Sequence, residues 1–170
     1  DSATLIKAFK VYVRPVLEYA SSVWSPHLIK DIELLESVQR RFTKLLPGFK
    51  NIEYAERLKR TGLERLDVRR LRFDLVLAYK LLFGLMDVDW TQFFRLSHNT
   101  TTRGHPFKLY TQTVHSDLLK YFFANRLVPV WNDLPINTNF SSLGCFRFPA
   151  LANIDLNKIL YTAKIIIGSC

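Results

Sequence analysis

The sequence predicts a mainly α-helical fold. Apolar residues recur three or four positions apart over long stretches, which is the spacing at which side chains share one face of an α-helix. Proline and glycine residues stand between these stretches, where they are expected to end helices. The alternation of apolar and polar residues that is typical of a strand occurs in one short stretch, 107–111. The predicted helices cover residues 4–20, 29–46, 53–61, 67–86 and 117–131.

The first predicted helix, 4–20, contains a proline. Pro15 lacks the N–H of an interior helical hydrogen bond and its ring crowds the preceding turn, so we expect the helix to kink or restart there. Residues 25–26, a Ser-Pro pair, end the segment. We expect Tyr19 and Trp24 to pack into this corner and to fix the direction of the next helix.

The second predicted helix, 29–46, has the clearest amphipathic pattern. Acidic residues are concentrated in its first turns and basic residues in its last turns, which suits the helix dipole. The pair at 47–48, Pro-Gly, ends the helix. The expected buried stripe consists of Ile29, Ile32, Leu35, Val38, Phe42 and Leu45.

Two further helices follow. The shorter, 53–61, is expected to end at Gly62, and the longer, 67–86, to begin with Asp67 as its N-cap. The expected buried stripe of the longer helix is Val68, Leu71, Leu75, Tyr79, Leu82 and Met86. Three arginines lie in its first two turns: Arg69, Arg70 and Arg72. Cations in this position oppose the helix dipole, so an anionic ligand would stabilise them.

Beyond Asp87 the pattern is less regular. A polar segment, 99–104, precedes the one extended stretch. The helix predicted over 117–131 contains Pro129, where a kink is expected. Residues 142–170 show only weak periodicity.

Positive charge is concentrated in one part of the chain. The net charge is +9, and residues 40–72 hold eleven Lys and Arg against four Asp and Glu, a net charge of +7. Such a local excess indicates a polyanionic partner, usually nucleic acid or a membrane surface. A solvated charged helix face is the alternative. No apolar run approaches the ~20 residues that cross a bilayer. Of the two kinds of polyanion, we expect nucleic acid as the partner and no membrane.

Signals for enzyme chemistry are absent from the sequence. The four histidines lack metal-ligand spacing, the six glycines are dispersed singly, and the two cysteines are far apart. The cysteine usage favours the reducing interior of a cell. No catalytic or metal-ligating residue is therefore predicted. The candidate phosphate contacts are Arg40, Arg41, Lys44, Arg69, Arg70 and Arg72.

Five stretches follow one another in a recognisable order. They are VRPVLEYASSVWSPH (13–27), DIELLESVQRRFTKLL (31–46), YAERLKRTGLERLDVRRLRFDL (54–75), TRGHPFKL (102–109) and FFANRLVPVWNDLP (122–135). Together they resemble the region that follows the catalytic palm in reverse transcriptases of jockey-like non-LTR (LINE) retrotransposons. The resemblance covers residues 5–143.

The resemblance implies a parent RNA-directed DNA polymerase with fingers, a palm and a helical thumb. Its two Mg²⁺ ions would be held by palm aspartates in a Tyr/Phe-Ala-Asp-Asp turn. No Asp-Asp pair occurs in this sequence, so this chain is expected to hold no catalytic residue and no cofactor of its own. It is expected to grip the backbone of RNA, or of an RNA–DNA or DNA duplex, beside the palm, in an intracellular ribonucleoprotein.

The same resemblance divides the chain into three parts. Residues 1–88 correspond to a helical thumb-like domain and residues 89–143 to a mixed, mostly helical connection region. Residues 144–170 depart from the family pattern and form a divergent tail that we expect to be poorly ordered. The chain would therefore be the thumb and adjoining C-terminal region of a longer polymerase.

Two other interpretations remain open. In the first, the chain is a retroelement relic that folds without a selected function. In the second, it is a helical protein-interaction module that uses the apolar faces of residues 118–134. A partner whose binding does not depend on salt would favour the module.

Overall fold

Helices make up most of the chain in the computed structural model, which describes residues 1–97, 104–114, 116–147, 151, 154–156 and 159. The mainly α prediction is confirmed. The α-helices are α1 Ser2–Ala8, α2 Arg14–Glu18, α3 Ile29–Leu45, α4 Tyr54–Thr61, α5 Leu66–Leu82, α6 Asp117–Lys120, α7 Phe123–Asn132 and α8 Leu143–Cys145. A π-helical turn, Phe9–Val13, joins α1 to α2, and a 3₁₀ turn covers Trp90–Gln92.

The kink expected at Pro15 takes the form of this π-helical turn. The Arg14 N–H donates to the Phe9 carbonyl, five residues back instead of four. Pro15 then stands in the first turn of α2, where a missing N–H leaves no interior hydrogen bond unmade. After α2 the chain reverses through Ala20, whose φ is 52°, and the Val23 and Trp24 N–H groups both donate to the Ala20 carbonyl.

The buried face of α3 is not the predicted apolar stripe. Ile29 and Leu45 are each 78% exposed, whereas four other residues of the helix are buried. These are Ile32, Glu36, Gln39 and Thr43. The predicted stripe was wrong at Ile29, Val38 and Leu45. Three polar side chains are buried instead because they find hydrogen-bond partners inside the protein, which lowers the cost of burying them.

Thr43 Oγ1 donates to the Arg40 carbonyl of α3 itself at 3.1 Å, whereas the partners of Glu36 and Gln39 come from α4, from the segment before α5 and from the first residue of α5. Gln39 Nε2 donates to the Glu64 carbonyl at 3.0 Å and to the Tyr54 hydroxyl at 3.2 Å. The Tyr54 hydroxyl in turn donates to the Glu36 carboxylate. The other oxygen of Glu36, Oε2, accepts from the Leu66 N–H at 2.8 Å.

The ends of α4 and α5 follow from local residues. Gly62 adopts the left-handed conformation (φ 59°) that ends α4, as predicted. Because α5 begins at Leu66, Asp67 lies within its first turn, and the Leu66 N–H is bonded by Glu36 instead of by the predicted cap. The helix α5 ends at Leu82, four residues before the predicted end at 86. Gly84, which has a φ of 67°, follows this end.

The chain divides into two compact units, 1–70 and 71–170, which we call unit 1 and unit 2. The division falls inside α5, earlier than the boundary predicted at residue 88. In unit 1, Phe9, Leu58 and Leu63 form a buried apolar cluster, with partly buried Leu17, Phe42 and Tyr54 packed against it. The Phe9 and Phe42 rings stack with their centroids 4.2 Å apart.

The centre of unit 2 is an aromatic cluster. Its members are Tyr79, Phe83, His105, Phe107, Trp131, Phe140 and Phe146. Trp131 is fully buried and its Nε1 donates to the Phe107 carbonyl at 2.7 Å. The Asn132 side chain both donates to and accepts from the backbone of Leu109, at 2.8 Å each. These bonds fix residues 105–110 against α7.

Two predicted elements fall in unit 2: an extended stretch, 107–111, and a helix, 117–131. Leu109 lies in the predicted extended stretch and forms an antiparallel bridge with Leu96. The single helix predicted over 117–131 is divided into α6 and α7, because the backbone of Phe122 is extended. Pro129 lies inside α7.

The predicted divergent tail, 144–170, is described only in part. Four of its described apolar residues are buried: Phe146, Leu151, Leu156 and Ile159. Ile154 is half-buried. The expectation of poor order otherwise falls on residues outside the described ones, as does the polar segment 99–103.

Candidate nucleic-acid interface

The last turns of α3 present three of the six predicted phosphate contacts. Because the helix buries Glu36, Gln39 and Thr43, its opposite side carries Arg41 and Lys44, which are both exposed. Neither side chain forms an ion pair or hydrogen bond with the described part of the chain. Both cations are therefore available to an anionic ligand.

Arg40 is exposed but is held in place. Its Nη2 donates to Glu33 Oε2 at 2.7 Å, and its guanidinium lies over the Tyr54 ring, 4.9 Å from the centroid. An exposed pair of this kind contributes about 0.2–1 kcal/mol, so a phosphate can compete with Glu33 for this guanidinium. The cation–π contact meanwhile fixes its position.

Arg57 also contacts Arg40 and Tyr54, although it was not among the predicted site residues. It is buried, its Nη1 donates to the Arg40 carbonyl at 3.0 Å, and its guanidinium lies 5.2 Å from the Tyr54 centroid. The same carbonyl also accepts from Thr43 Oγ1 at 3.1 Å, so the Arg57 bond links α4 to the last turns of α3. The sequence signal for Arg57 is its place three residues after Tyr54, on the same face of α4.

The Tyr54 hydroxyl remains a proton donor. Burial and the hydrogen bond to Glu36 raise the pKa of Tyr54 well above its ordinary value. Its donation to Glu36 ties α4 to α3 and so determines where Arg40 and its neighbours lie.

Arg69 is engaged by a carboxylate of its own unit. Its Nε and Nη2 donate to the two oxygens of Glu18, the second at 3.2 Å. A second arginine, Arg14, lies on the same carboxylate, with its Nε 3.9 Å from Glu18 Oε1. The internal counter-ion that opposes the unfavourable helix-dipole position of Arg69 is therefore Glu18.

Arg70 is not available to a ligand, because it is only 2% exposed. Its guanidinium donates to the carbonyl oxygens of Leu17 and Trp24 and lies 4.4 Å from the Trp24 ring centroid. Tyr19 is 77% exposed, so the prediction that it packs into the corner was wrong. Arg70 and Trp24 hold the corner instead.

Arg72 belongs to unit 2. Its Nη1 lies 3.5 Å from the Leu151 carbonyl oxygen, and its side chain is partly exposed. Thus the structure groups Arg40, Arg41 and Lys44 on α3, places Arg69 against Glu18, and buries Arg70.

Among the described residues there is no cluster of three or more His, Cys, Asp or Glu that could hold a metal ion. Within the same residues no helix is both long enough and apolar enough to cross a bilayer. No family model, curated protein or solved structure matches the chain.

Proposed function

We propose that the chain is the thumb and downstream region of a LINE-type reverse transcriptase, and that it binds the backbone of a template–primer duplex without catalysing a reaction. The parent enzyme would carry out RNA-directed DNA synthesis with Mg²⁺ held by its palm. The ligands of this region would be RNA and RNA–DNA or DNA duplexes, inside the cell, as part of a ribonucleoprotein.

The observation that carries this proposal is the exposed cationic end of α3. Arg41 and Lys44 face solvent while Arg40 is positioned beside them by Glu33 and Tyr54. Cations in such an arrangement bind phosphates and release counter-ions without reading base sequence. Arg69 and Arg72 remain proposed contacts, whereas the burial of Arg70 removes it from the set.

Exposed apolar side chains in unit 1 support the proposed palm partner. Tyr12, Val16, Tyr19 and Val23 are each more than two-thirds exposed. Exposed apolar residues that lie together mark contact surfaces. We propose that these four residues pack against the palm of the parent polymerase.

The test is duplex binding by the double variant Arg41→Gln, Lys44→Gln. Because each phosphate contact adds about 0.9 to the slope of log affinity against log salt, loss of two contacts should lower that slope by about 1.8. Fluorescence anisotropy with an RNA–DNA duplex, at several salt concentrations, measures it.

The matched control is Arg95→Gln, Arg147→Gln, which removes the same net charge from two exposed side chains of unit 2. We expect this control to keep the wild-type salt slope. If the two double variants change the slope equally, net charge alone binds the duplex and α3 is not the interface.

A protein-interaction module is the second candidate, and the exposed residues of α6 favour it. Leu118 is 85% exposed, and Leu119 and Phe122 are also exposed. The apolar side of α7 is by contrast buried within unit 2, so the surface for this candidate narrows from 118–134 to 118–122. Binding of a protein partner that is lost in Leu118→Asp and insensitive to salt would favour it.

A further inference from the structure

One surface carboxylate of unit 1 lies between two arginines that belong to different elements. Glu33 is part of α3, and its Oε2 accepts from Arg40 Nη2 at 2.7 Å. Its other oxygen, Oε1, lies 3.6 Å from Nη2 of Arg65, in the segment between α4 and α5. The side chains of Glu33, Arg40 and Arg65 are 41%, 46% and 34% exposed. Glu33 therefore bridges two guanidinium groups at a place that a ligand can reach.

Each of the two arginines is also oriented by a contact other than Glu33. The Arg40 guanidinium lies over the Tyr54 ring, 4.9 Å from the centroid. The Nε and Nη2 of Arg65 donate to the two carboxylate oxygens of Asp67 at 3.1 Å each. A guanidinium has five N–H donors, so these contacts leave donors on both arginines. Without the Glu33 carboxylate, two oriented cations would remain around the position that it occupies.

We propose that Arg40 and Arg65 form a binding site for one phosphate of a bound duplex, and that Glu33 occupies this site in the free protein as an internal competitor. Guanidinium groups bind the paired oxygens of a carboxylate and of a phosphate in the same forked geometry. Because exposed ion pairs are weak, a phosphate can displace Glu33. This inference rests on the proposed function. It adds Arg65 to the duplex contacts and makes Glu33 a residue that limits duplex affinity.

A second ion pair of unit 1 provides a matched control. Arg60 Nε donates to Glu56 Oε1 at 2.8 Å, and these two side chains are 54% and 43% exposed. The pair thus resembles Arg40–Glu33 in length and exposure, but both of its residues lie on α4, one turn apart. Changing either glutamate to glutamine removes one negative charge and one exposed ion pair. The two variants therefore differ only in which arginine is released.

The test compares Glu33→Gln with Glu56→Gln in binding to an RNA–DNA duplex, measured by fluorescence anisotropy at several salt concentrations. We expect Glu33→Gln to bind about two- to fivefold more tightly than the wild-type protein, since an exposed ion pair no longer has to be broken. Its slope of log affinity against log salt should become steeper by about 0.9, because Arg40 then contributes a full phosphate contact. Glu56→Gln should keep the wild-type affinity and slope.

Further variants connect this gain to the two arginines. In an Arg40→Gln background, Glu33→Gln should no longer increase affinity, because the released cation is missing. In a Glu33→Gln background, Arg65→Gln should weaken duplex binding. Arg95→Gln, which removes an equal charge from an exposed side chain of unit 2, should weaken it less.

Three results would overturn the proposal. Equal gains in Glu33→Gln and Glu56→Gln would mean that net charge alone acts. Unchanged or weaker binding by Glu33→Gln would mean that Glu33 does not compete with the duplex. A gain that persists in the Arg40→Gln background would remove Arg40 from the site.

The proposed function is judged separately, by the double variant Arg41→Gln, Lys44→Gln. If that variant lowers the salt slope and Glu33→Gln brings no gain, only the site at Arg40 and Arg65 is refuted. If the double variant keeps the wild-type slope and Glu33→Gln still gains affinity through Arg40, the duplex binds at Arg40 and Arg65 and not at the exposed end of α3.

Discussion

His105 illustrates how single residues are fixed by their surroundings. It is buried in the aromatic cluster of unit 2, and its Nε2 lies 2.8 Å from the Trp131 carbonyl oxygen. Because a carbonyl can only accept, Nε2 carries the proton. Nδ1 has no hydrogen-bond partner among the described residues, and the Phe140 ring lies 5.1 Å away, centroid to centroid. The ring is thus held in its neutral form.

This environment predicts that unit 2 loses stability in acid. Burial lowers the pKa of His105 by more than the hydrogen bond to the Trp131 carbonyl raises it, and the charge of Lys108 lowers it further. The unfolded chain therefore takes up a proton before the folded chain does, so His105 contributes stability above pH ~6.5 that is lost as the pH falls. The loss is at most about 1.4 kcal/mol per pH unit.

Urea unfolding of wild-type protein and His105→Gln between pH 5 and pH 7.5 tests this. We expect the midpoint of the wild-type protein to fall more steeply towards pH 5 than that of the variant. His27→Gln, at an exposed histidine, should behave like the wild-type protein. Parallel pH profiles for wild-type and His105→Gln would contradict the assignment.

The basic residues show how far the exposure of a single side chain can be predicted from the sequence. Composition identifies the cationic stretch 40–72, and helical periodicity alone indicates that Arg41 and Lys44 face away from a core. The burial of Arg70 depends on the Trp24 carbonyl, 46 residues earlier in the chain. No local pattern contains that contact, so the sequence could not separate Arg70 from its exposed neighbours.

At the scale of elements, α3 shows how hydrogen bonds can override hydrophobic periodicity. The predicted limits of α3 and α4 agree with the structure to within one residue, because local breakers and Gly62 determine them. The buried side of α3 could not be predicted in the same way. Its burial of Glu36 and Gln39 requires Tyr54, Glu64 and Leu66 from other elements.

Glu36 is the residue on which this arrangement most depends. Replacement by alanine leaves the Tyr54 hydroxyl and the Leu66 N–H without their acceptor, whereas the Gln39 amide keeps the Glu64 carbonyl. Since each unsatisfied buried donor costs about 1–3 kcal/mol, we expect Glu36→Ala to destabilise unit 1 by about 2 kcal/mol or more.

The matched control is Glu53→Ala, at an exposed glutamate whose side chain makes no capping bond to α4. We expect it to change stability by less than about 0.5 kcal/mol. Chemical denaturation followed by helical circular dichroism compares the two. Equal midpoints would show that the buried network contributes little.

At the scale of the whole molecule, net charge and surface pattern decide the kind of recognition. The charge of +9 attracts any polyanion, and the exposed cations of α3 are the proposed contacts to a phosphate backbone. We expect two unrelated duplexes of equal length to bind with equal affinity, because phosphate contacts carry no sequence information. Anisotropy titrations at one fixed salt concentration measure this, and a strong preference for one sequence would contradict backbone recognition.

The boundary between the two compact units lies at a different place from the domain boundary that the resemblance implied. The resemblance suggested a boundary at 88, whereas the contacts divide the chain after Arg70, inside a helix that has no breaker at that point. A boundary of this kind depends on which residues meet in three dimensions. Pro and Gly signals, which mark loops, could not reveal it.

The π-helical turn before Pro15 limits the insertions and deletions that the chain tolerates in this segment. Between Phe9 and Arg14 the turn holds one residue more than an α-helical turn would. Deleting one residue of 9–13 would restore α-helical pairing and press the Pro15 ring against the carbonyl four residues back, at a cost of about 3 kcal/mol. Replacing Pro15 as well would remove that clash. Insertions, deletions and the proline are therefore coupled here, and a homologous sequence one residue shorter in this turn should also lack the proline.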